Sequence, residues 1–273
     1  MRLRRVAAAV AALGLAVSLS ACAGGAGGTD LTKLRIGIKF DQPGLGLKQG
    51  DTYTGLDVDV ATYIAGKLGT PANAITWTQA PSAQRETLID TGQVDLVVAT
   101  YSITDARKEK VSFAGPYFIA GQDLLVRAGD SSITGPDSLA GKKLCSVTGS
   151  TSAQKIKDKV PGVNLQEFAT YSECVSALAA GTIDALTTDD TILAGFASQD
   201  QYKGKLKVVG APFTQENYGV GLKKGNTDLC NKVTQAIKDM IADGSWQKAV
   251  DKNLGPANYK APAGNPPTPA ACS

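Results

Sequence analysis

Short apolar runs and longer amphipathic stretches alternate along this chain. The strand-like runs are Leu34–Lys39, Ile75–Thr78, Val94–Ala99, Lys143–Val147, Val163–Phe168, Ile183–Leu186 and Leu206–Val209, each of strand length and most bounded by Gly, Pro or polar residues. Between them the pattern turns helical. From about Asp57 to Leu68 the residues Val60, Ala61, Ile64 and Leu68 fall on one face, and Gly69-Thr70-Pro71 stops the helix. This alternation predicts an α/β class with mostly parallel sheets. About 220 residues between Lys33 and Leu254 suffice for two compact domains or one large one.

A degenerate repeat favours two lobes of similar build. Ile75–Thr78, Ser82, a helix, Gly92-Gln93-Val94-Asp95 and a strand are echoed by Val163–Phe168, Ser172, a helix, Gly181-Thr182-Ile183-Asp184 and a strand. The helical stretches Thr227–Ile241 and after Gly244 come once the second copy is finished. If they pack on the first lobe, the chain crosses between lobes twice, near Leu124–Ala128 and near Gln215–Val220, and two crossing strands make a hinge that can close on a ligand. The Pro-rich tail, 256–273, reads as extended and unpacked, stapled only through Cys272.

The beginning of the chain follows a different pattern. Arg2, Arg4 and Arg5 precede an apolar run from Val6 to Leu19, then Leu19-Ser20-Ala21-Cys22; the run is shorter than the roughly 20 residues that span a bilayer and reads as a secretory signal over 1–21. Its ending resembles a bacterial lipobox, which implies cleavage before Cys22 and lipid on the Cys22 sulfur; the alternative is a plain signal with an incidental Cys. Residues 22–33 then read as a flexible tether, Gly/Ala-rich at its start.

Of 28 basic residues the leader holds three and no acidic ones, leaving 25 against 25, so no nucleic acid or other polyanion is indicated as a partner. Four further cysteines in an exported chain point to disulfides, expected as Cys145–Cys174 and Cys230–Cys272. With no His in the chain and no C-x-x-C spacing, a zinc site or a His-assisted nucleophile is disfavoured. No metal or cofactor is expected: Gly44-Leu45-Gly46 lacks the third glycine of a dinucleotide loop, and no Walker-type loop occurs.

The segment Thr100-Tyr101-Ser102-Ile103-Thr104-Asp105-Ala106-Arg107 follows an apolar strand and opens a charged helix. Strand ends of an α/β sheet form the usual ligand crevice, helix N-termini present unpaired N–H groups, and Arg offers a fork that matches a carboxylate. A free amino acid is the ligand this suggests; ordinary N-capping beside an exposed Arg is the plain alternative.

Together with Gly37-Ile38-Lys39-Phe40-Asp41-Gln42-Pro43-Gly44, Gly55-Leu56-Asp57-Val58-Asp59, Ser112-Phe113-Ala114-Gly115-Pro116-Tyr117 and Thr188-Asp189-Asp190, this segment resembles the polar amino-acid-binding proteins of ABC importers, solute-binding family 3, from about Leu34 to Gly255. Within them it is most similar to actinobacterial glutamate-binding lipoproteins. The resemblance implies the two-lobed, type 2 periplasmic-binding-protein fold with two crossing hinge strands, lobe 1 spanning 34–124 and 217–255 and lobe 2 spanning 125–216.

The resemblance also implies ligand roles. Arg107 would clamp the α-carboxylate, helped by Ser102 and Thr100 and met from the second lobe by the N–H groups of Ser150 and Thr151. Asp189, preferred over Asp190, would hold the ammonium. Lys39 and Arg85 would receive a second carboxylate, although both residue types usually sit at the surface. Many relatives cover the ligand's aliphatic stem with an aromatic from the first strand–helix loop; here the candidates are Phe40 and Tyr101.

The expected protein is thus a monomeric, lipid-anchored binder on the outer face of the cytoplasmic membrane, not an enzyme. It would capture L-glutamate, with aspartate as a second candidate, for ABC permease subunits. The rivals are a sensor reporting to a membrane kinase and, less favoured, a dehydratase on the same scaffold, which would need a general acid or base beyond Asp189.

Overall fold

The computed structural model describes residues 29–273, so the expected leader, the expected lipidation site Cys22 and most of the Gly/Ala stretch lie outside the described residues. Strand β1 (Arg35–Ile38) leads into a meander of β2 (Asp41–Gln42), β3 (Gly46–Gln49) and β4 (Thr52–Thr54), followed by α1 (Leu56–Leu68), β5 (Thr76–Gln79), α2 (Arg85–Asp90), β6 (Leu96–Val97), α3 (Asp105–Lys108) and the long β7 (Val111–Ala120). Next come β8 (Gln122–Arg127), β9 (Lys143–Val147), α4 (Thr151–Lys159), β10 (Asn164–Phe168), α5 (Tyr171–Ala179), β11 (Ala185–Asp189), α6 (Asp190–Ala197) and β12 (Leu206–Val208). The chain returns through β13 (Glu216–Lys223) and ends in α7 (Thr227–Ala242), α8 (Ser245–Leu254) and the tail.

Two five-stranded sheets result, ordered β5-β1-β6-β13-β7 and β10-β9-β11-β8-β12. In each, the first three strands are parallel and the last two pair antiparallel. The expectation of mostly parallel sheets is corrected to half-parallel, because strands that carry the chain between sheets enter each one against the direction of its βαβ strands. The repeat has a structural counterpart: Asp95 accepts the first N–H of β1 from Arg35 at 2.8 Å, and Asp184 accepts that of β9 from Lys143 at 2.8 Å.

The sheets are joined where β7 gives way to β8 at Gly121. A Cβ there would lie 2.8 Å from Pro212 Cβ, so only Gly lets the chain pass so close to the returning segment. The outgoing crossing therefore precedes the expected Leu124–Ala128: Leu124, Leu125 and Val126 are already buried in the second sheet. Helices α7 and α8 pack beside α1 and the first sheet, where Val233 and Ile237 share a core with Val60 and Ile64, and Trp246 Nε1 donates to Tyr117 O at 2.7 Å.

Both ends of the described chain are more tightly held than their composition suggests. Leu31, inside the expected tether, packs on the core, and its carbonyl accepts from Thr70 Oγ1. The tail is not unpacked. It lies along β7, with Ala270 N donating to Gly115 O at 2.8 Å, Phe113 N to Ser273 O at 2.7 Å, and Asn265 exchanging bonds with the Ile119 backbone at 2.8 and 2.9 Å. β7 is an edge strand whose free backbone groups seek partners, and an edge tolerates prolines. The disulfides join Cys145 to Cys174 and Cys230 to Cys272, the second fastening the tail to α7.

Candidate functional site

A narrow cavity lies between the sheets at the carboxyl ends of β6 and β11. Ser82, Arg85, Thr100 and Arg107 line it from the first sheet's side, and Ser150, Thr151, Ser152, Tyr171, Asp189 and Ile192 from the second. Six of the eight residues expected to bind ligand therefore line one cavity. A wider surface groove of about 720 Å³ passes Thr29, Lys33, Arg35 and Asp95, but there Arg35 and Asp95 satisfy each other at 2.6 Å. The buried, converging polar groups are in the narrow cavity, which is where a small polar ligand would be recognised.

Thr104 caps α3, its hydroxyl accepting from Arg107 N at 3.3 Å. The Arg107 guanidinium is buried, donating from Nη1 to Ser102 O at 2.8 Å and from Nη2 to Gly149 O at 3.3 Å, with Nε 3.5 Å from Glu86 Oε1. One arginine thus spans both lobes. Gly149 permits this close approach: its φ is +74°, and a Cβ would lie 2.7 Å from Ala83 Cα. Arg85 is also buried, and both guanidinium carbons lie within 5.0 Å of the Tyr101 ring centroid. The cation–π contact and a bond from Tyr101 Oη to Glu86 Oε1 at 2.8 Å fix the pair. Burial, with Arg85 second, lowers the Arg107 pKa, as expected for like charges sharing a dry wall.

Thr100 holds a left-handed backbone, φ +46°, uncommon for a β-branched residue. Its N–H donates to Asp57 Oδ2 at 2.9 Å, while Asp57 Oδ1 accepts from Tyr117 Oη at 2.6 Å. Burial pushes Asp57 up to about 6, against these hydrogen bonds.

On the second side, Ser150 caps α4 by accepting from Ala153 N at 3.0 Å. Thr151 Oγ1 donates across to Ser102 Oγ at 3.4 Å, which puts Ser102 just behind the wall. Asp189 ends β11, accepting from Tyr218 Oη at 2.7 Å and from Ser152 Oγ at 3.3 Å. Its pKa is pushed up to about 8, by burial first and by the Glu216 charge next. Its neighbour Asp190 is committed to the hinge, accepting from Gly121 N, Thr191 N and Tyr259 Oη at 3.2, 2.8 and 3.0 Å.

Lys39 is buried, not solvated, but stands behind the wall: Nζ is 3.5 Å from Asp41 Oδ1 and 5.6 Å from the Tyr171 ring centroid. Burial lowers its pKa, with Asp41 opposing. Asp41 Oδ2 in turn accepts from Tyr171 N at 3.0 Å and Ser172 N at 3.3 Å, so the lysine's counter-ion also ties the lobes together. Neither aromatic candidate lines the cavity. Phe40 packs on Tyr53, Tyr101 backs the arginines, and the lining aromatic is Tyr171. Ser82, Ser152, Tyr171 and Ile192 were not anticipated as site residues; the Thr170–Glu173 capping box that starts α5, beside repeat residue Ser172, was the signal for Tyr171.

Two guanidiniums facing a buried carboxylate can hold an anion and a cation of one small molecule at once. Residues 34–256 match the family of bacterial extracellular solute-binding proteins, family 3. The chain is 46% identical to glutamate-binding protein GluB of Corynebacterium efficiens, covering 96% of this chain and 95% of that protein. It is 37% identical to the ABC transporter glutamine-binding protein GlnH of Bacillus subtilis, over 82% and 81% of the two chains. An ancestral arginine-binding protein bound to glutamine superposes with a TM-score of 0.76 at 34% identity, covering 82% of this chain and 98% of that one. With two matching sheets, a polar cavity between them and matches over most of its length, the chain belongs to family 3 of the bacterial extracellular solute-binding proteins.

Proposed function

We propose that this protein captures L-glutamate, and aspartate by the same chemistry, and delivers it to an ABC importer in the membrane. The observation that carries the reading is the pair Arg107 and Arg85 on one wall of a cavity whose opposite wall bears Asp189. Arg107, Thr100, Ser102 and the N–H groups of Ser150 and Thr151 take the α-carboxylate. Asp189 takes the ammonium, and Arg85 with Lys39 behind it takes the second carboxylate. Similarity to GluB supports an acidic ligand. The two lobes, one built on each five-stranded sheet and divided at Gly121 and ahead of Glu216 rather than at residues 124 and 216, would close on the ligand by bending at those crossings, excluding water and strengthening each ion pair. Lipid on Cys22 would hold the monomer at the outer membrane face. The protein needs no cofactor and catalyses nothing, and energy comes from nucleotide hydrolysed on the partner. Calorimetry on the chain without residues 1–22, against glutamate, aspartate, glutamine and asparagine, tests this: glutamate should bind best, and a preference for glutamine refutes it.

A further inference from the structure

Behind Asp189 lies a second buried carboxylate that these roles leave unused. Glu216 opens β13 with its side chain fully buried; Oε1 accepts from Lys155 Nζ at 2.5 Å and from Thr214 Oγ1 at 2.7 Å, while Oε2 has no hydrogen-bond partner. Tyr218, two residues along the same face of the strand, donates to Asp189 Oδ2 at 2.7 Å. Gln122, paired with Asp189 between β8 and β11, spends its amide N–H groups on Ser152 O and Thr187 Oγ1, both at 2.9 Å, and leaves Oε1 buried without a partner. Behind this end of the cavity two buried acceptors, Glu216 Oε2 and Gln122 Oε1, therefore go without a donor, a state that buried polar groups avoid unless something else meets them. Lys155 on α4 is the cation that reaches this end.

We propose that Glu216, held in place by Lys155, is a second anion of the ammonium subsite, attracting the ligand's α-ammonium from behind Asp189 and setting the pH range over which Asp189 can receive it. The inference rests on Asp189 as the ammonium partner. Two carboxylates in a dry site resist ionising together, and the charge of Glu216 comes directly after burial in raising Asp189. The other ionisable groups facing Asp189 are Tyr218 on β13, Lys155 on α4, Tyr171 on α5 and Asp190 on α6, with Tyr259 of the tail reaching Asp190 and the guanidiniums of Arg85 and Arg107 standing across the cavity. Below about pH 8 Asp189 carries a proton. An arriving ammonium takes the place of that proton on the carboxylate, and the proton passes to solvent.

The test is calorimetry of glutamate binding between pH 5.5 and 8.5 in buffers of different ionisation enthalpy, which counts released protons, for the wild type, Glu216→Gln, Lys155→Gln and Asp189→Asn, with thermal unfolding as the control for folding. The wild type should release close to one proton per glutamate well below pH 8. Glu216→Gln should move the midpoint of release down by about one pH unit and weaken binding about tenfold at pH 8.5, where attraction to the second carboxylate is lost. Lys155→Gln, a change at a partly exposed side chain, should move the midpoint up. A uniform affinity loss in Glu216→Gln with an unmoved midpoint, or a wild type that releases no proton, overturns the inference and leaves the ammonium assignment standing. Unchanged glutamate affinity in Asp189→Asn overturns the ammonium assignment itself, and the inference with it.

Discussion

Asp189→Asn should make the protein more stable while costing it its ligand. The carboxylate is buried and its pKa is pushed up to about 8, by burial first and Glu216 second, whereas an unfolded Asp titrates near 3.9. Because the folded value is the higher one, between about pH 4 and pH 8 the native state holds a proton that the unfolded chain has lost. Wild-type stability is thus highest below this window, falls as pH rises through it and levels off above. At about 1.4 kcal/mol per pH unit, the gap amounts to roughly 5 kcal/mol by pH 8. Asparagine carries no such charge but accepts more weakly from Tyr218, a loss of about 1–2 kcal/mol. The net gain is roughly 3–4 kcal/mol at pH 8 and none at pH 4, equivalent to a rise in Tm on the order of 10 °C at the higher pH. Scanning calorimetry of both proteins from pH 4 to 8.5, with a glutamate titration at each pH, measures the two effects. Stability curves that run parallel with pH, or a mutant less stable at pH 8, would refute the reasoning.

Arg107→Ala should abolish glutamate binding, since a buried carboxylate left without its fork partner costs roughly 3–5 kcal/mol; affinity within a few-fold of wild type by calorimetry would remove Arg107 from the ligand's path. Arg85→Ala should weaken glutamate far more than glutamine, and Lys39→Asp should repel glutamate further; equal losses for acid and amide would place both cations outside specificity. Cys272→Ser should free the tail from α7 and lower stability by about 3–4 kcal/mol in the loop-entropy description, read by chemical denaturation; an unchanged midpoint would mean that the backbone pairing with β7 suffices. Cys22→Ser should release the protein from membrane fractions without altering glutamate affinity, and full retention would point to another anchor.

Strands of short apolar or alternating pattern, such as β1, β9 and β10, were legible from the chain alone, as were α1 and α7 from their period. β7 and β13 were not, because Gly115-Pro116 interrupts the one and the other, with Gly219 and Gly221 inside it, was read only as a crossing. The meander of β2 to β4 is polar and rich in glycine, so its pairing comes from backbone bonds with little side-chain signature. In the cavity, Arg107 was legible because capping chemistry marks the start of its helix, whereas Asp189 was marked only by the resemblance to the family. What could not be read was depth. Whether Lys39 lies on the wall or behind it depends on Asp41 and Tyr171, which are brought beside it by different lobes.

The packing of both described chain ends has a mechanical consequence. Leu31 is pinned through Thr70, and the tail is stitched to β7 and α7, so entry and exit are anchored on the body built around the first sheet. Tension on a membrane leash would be absorbed there without loading the Gly121 joint. The other body, reached from the tail by the bond of Tyr259 to Asp190, would then close without working against that tension.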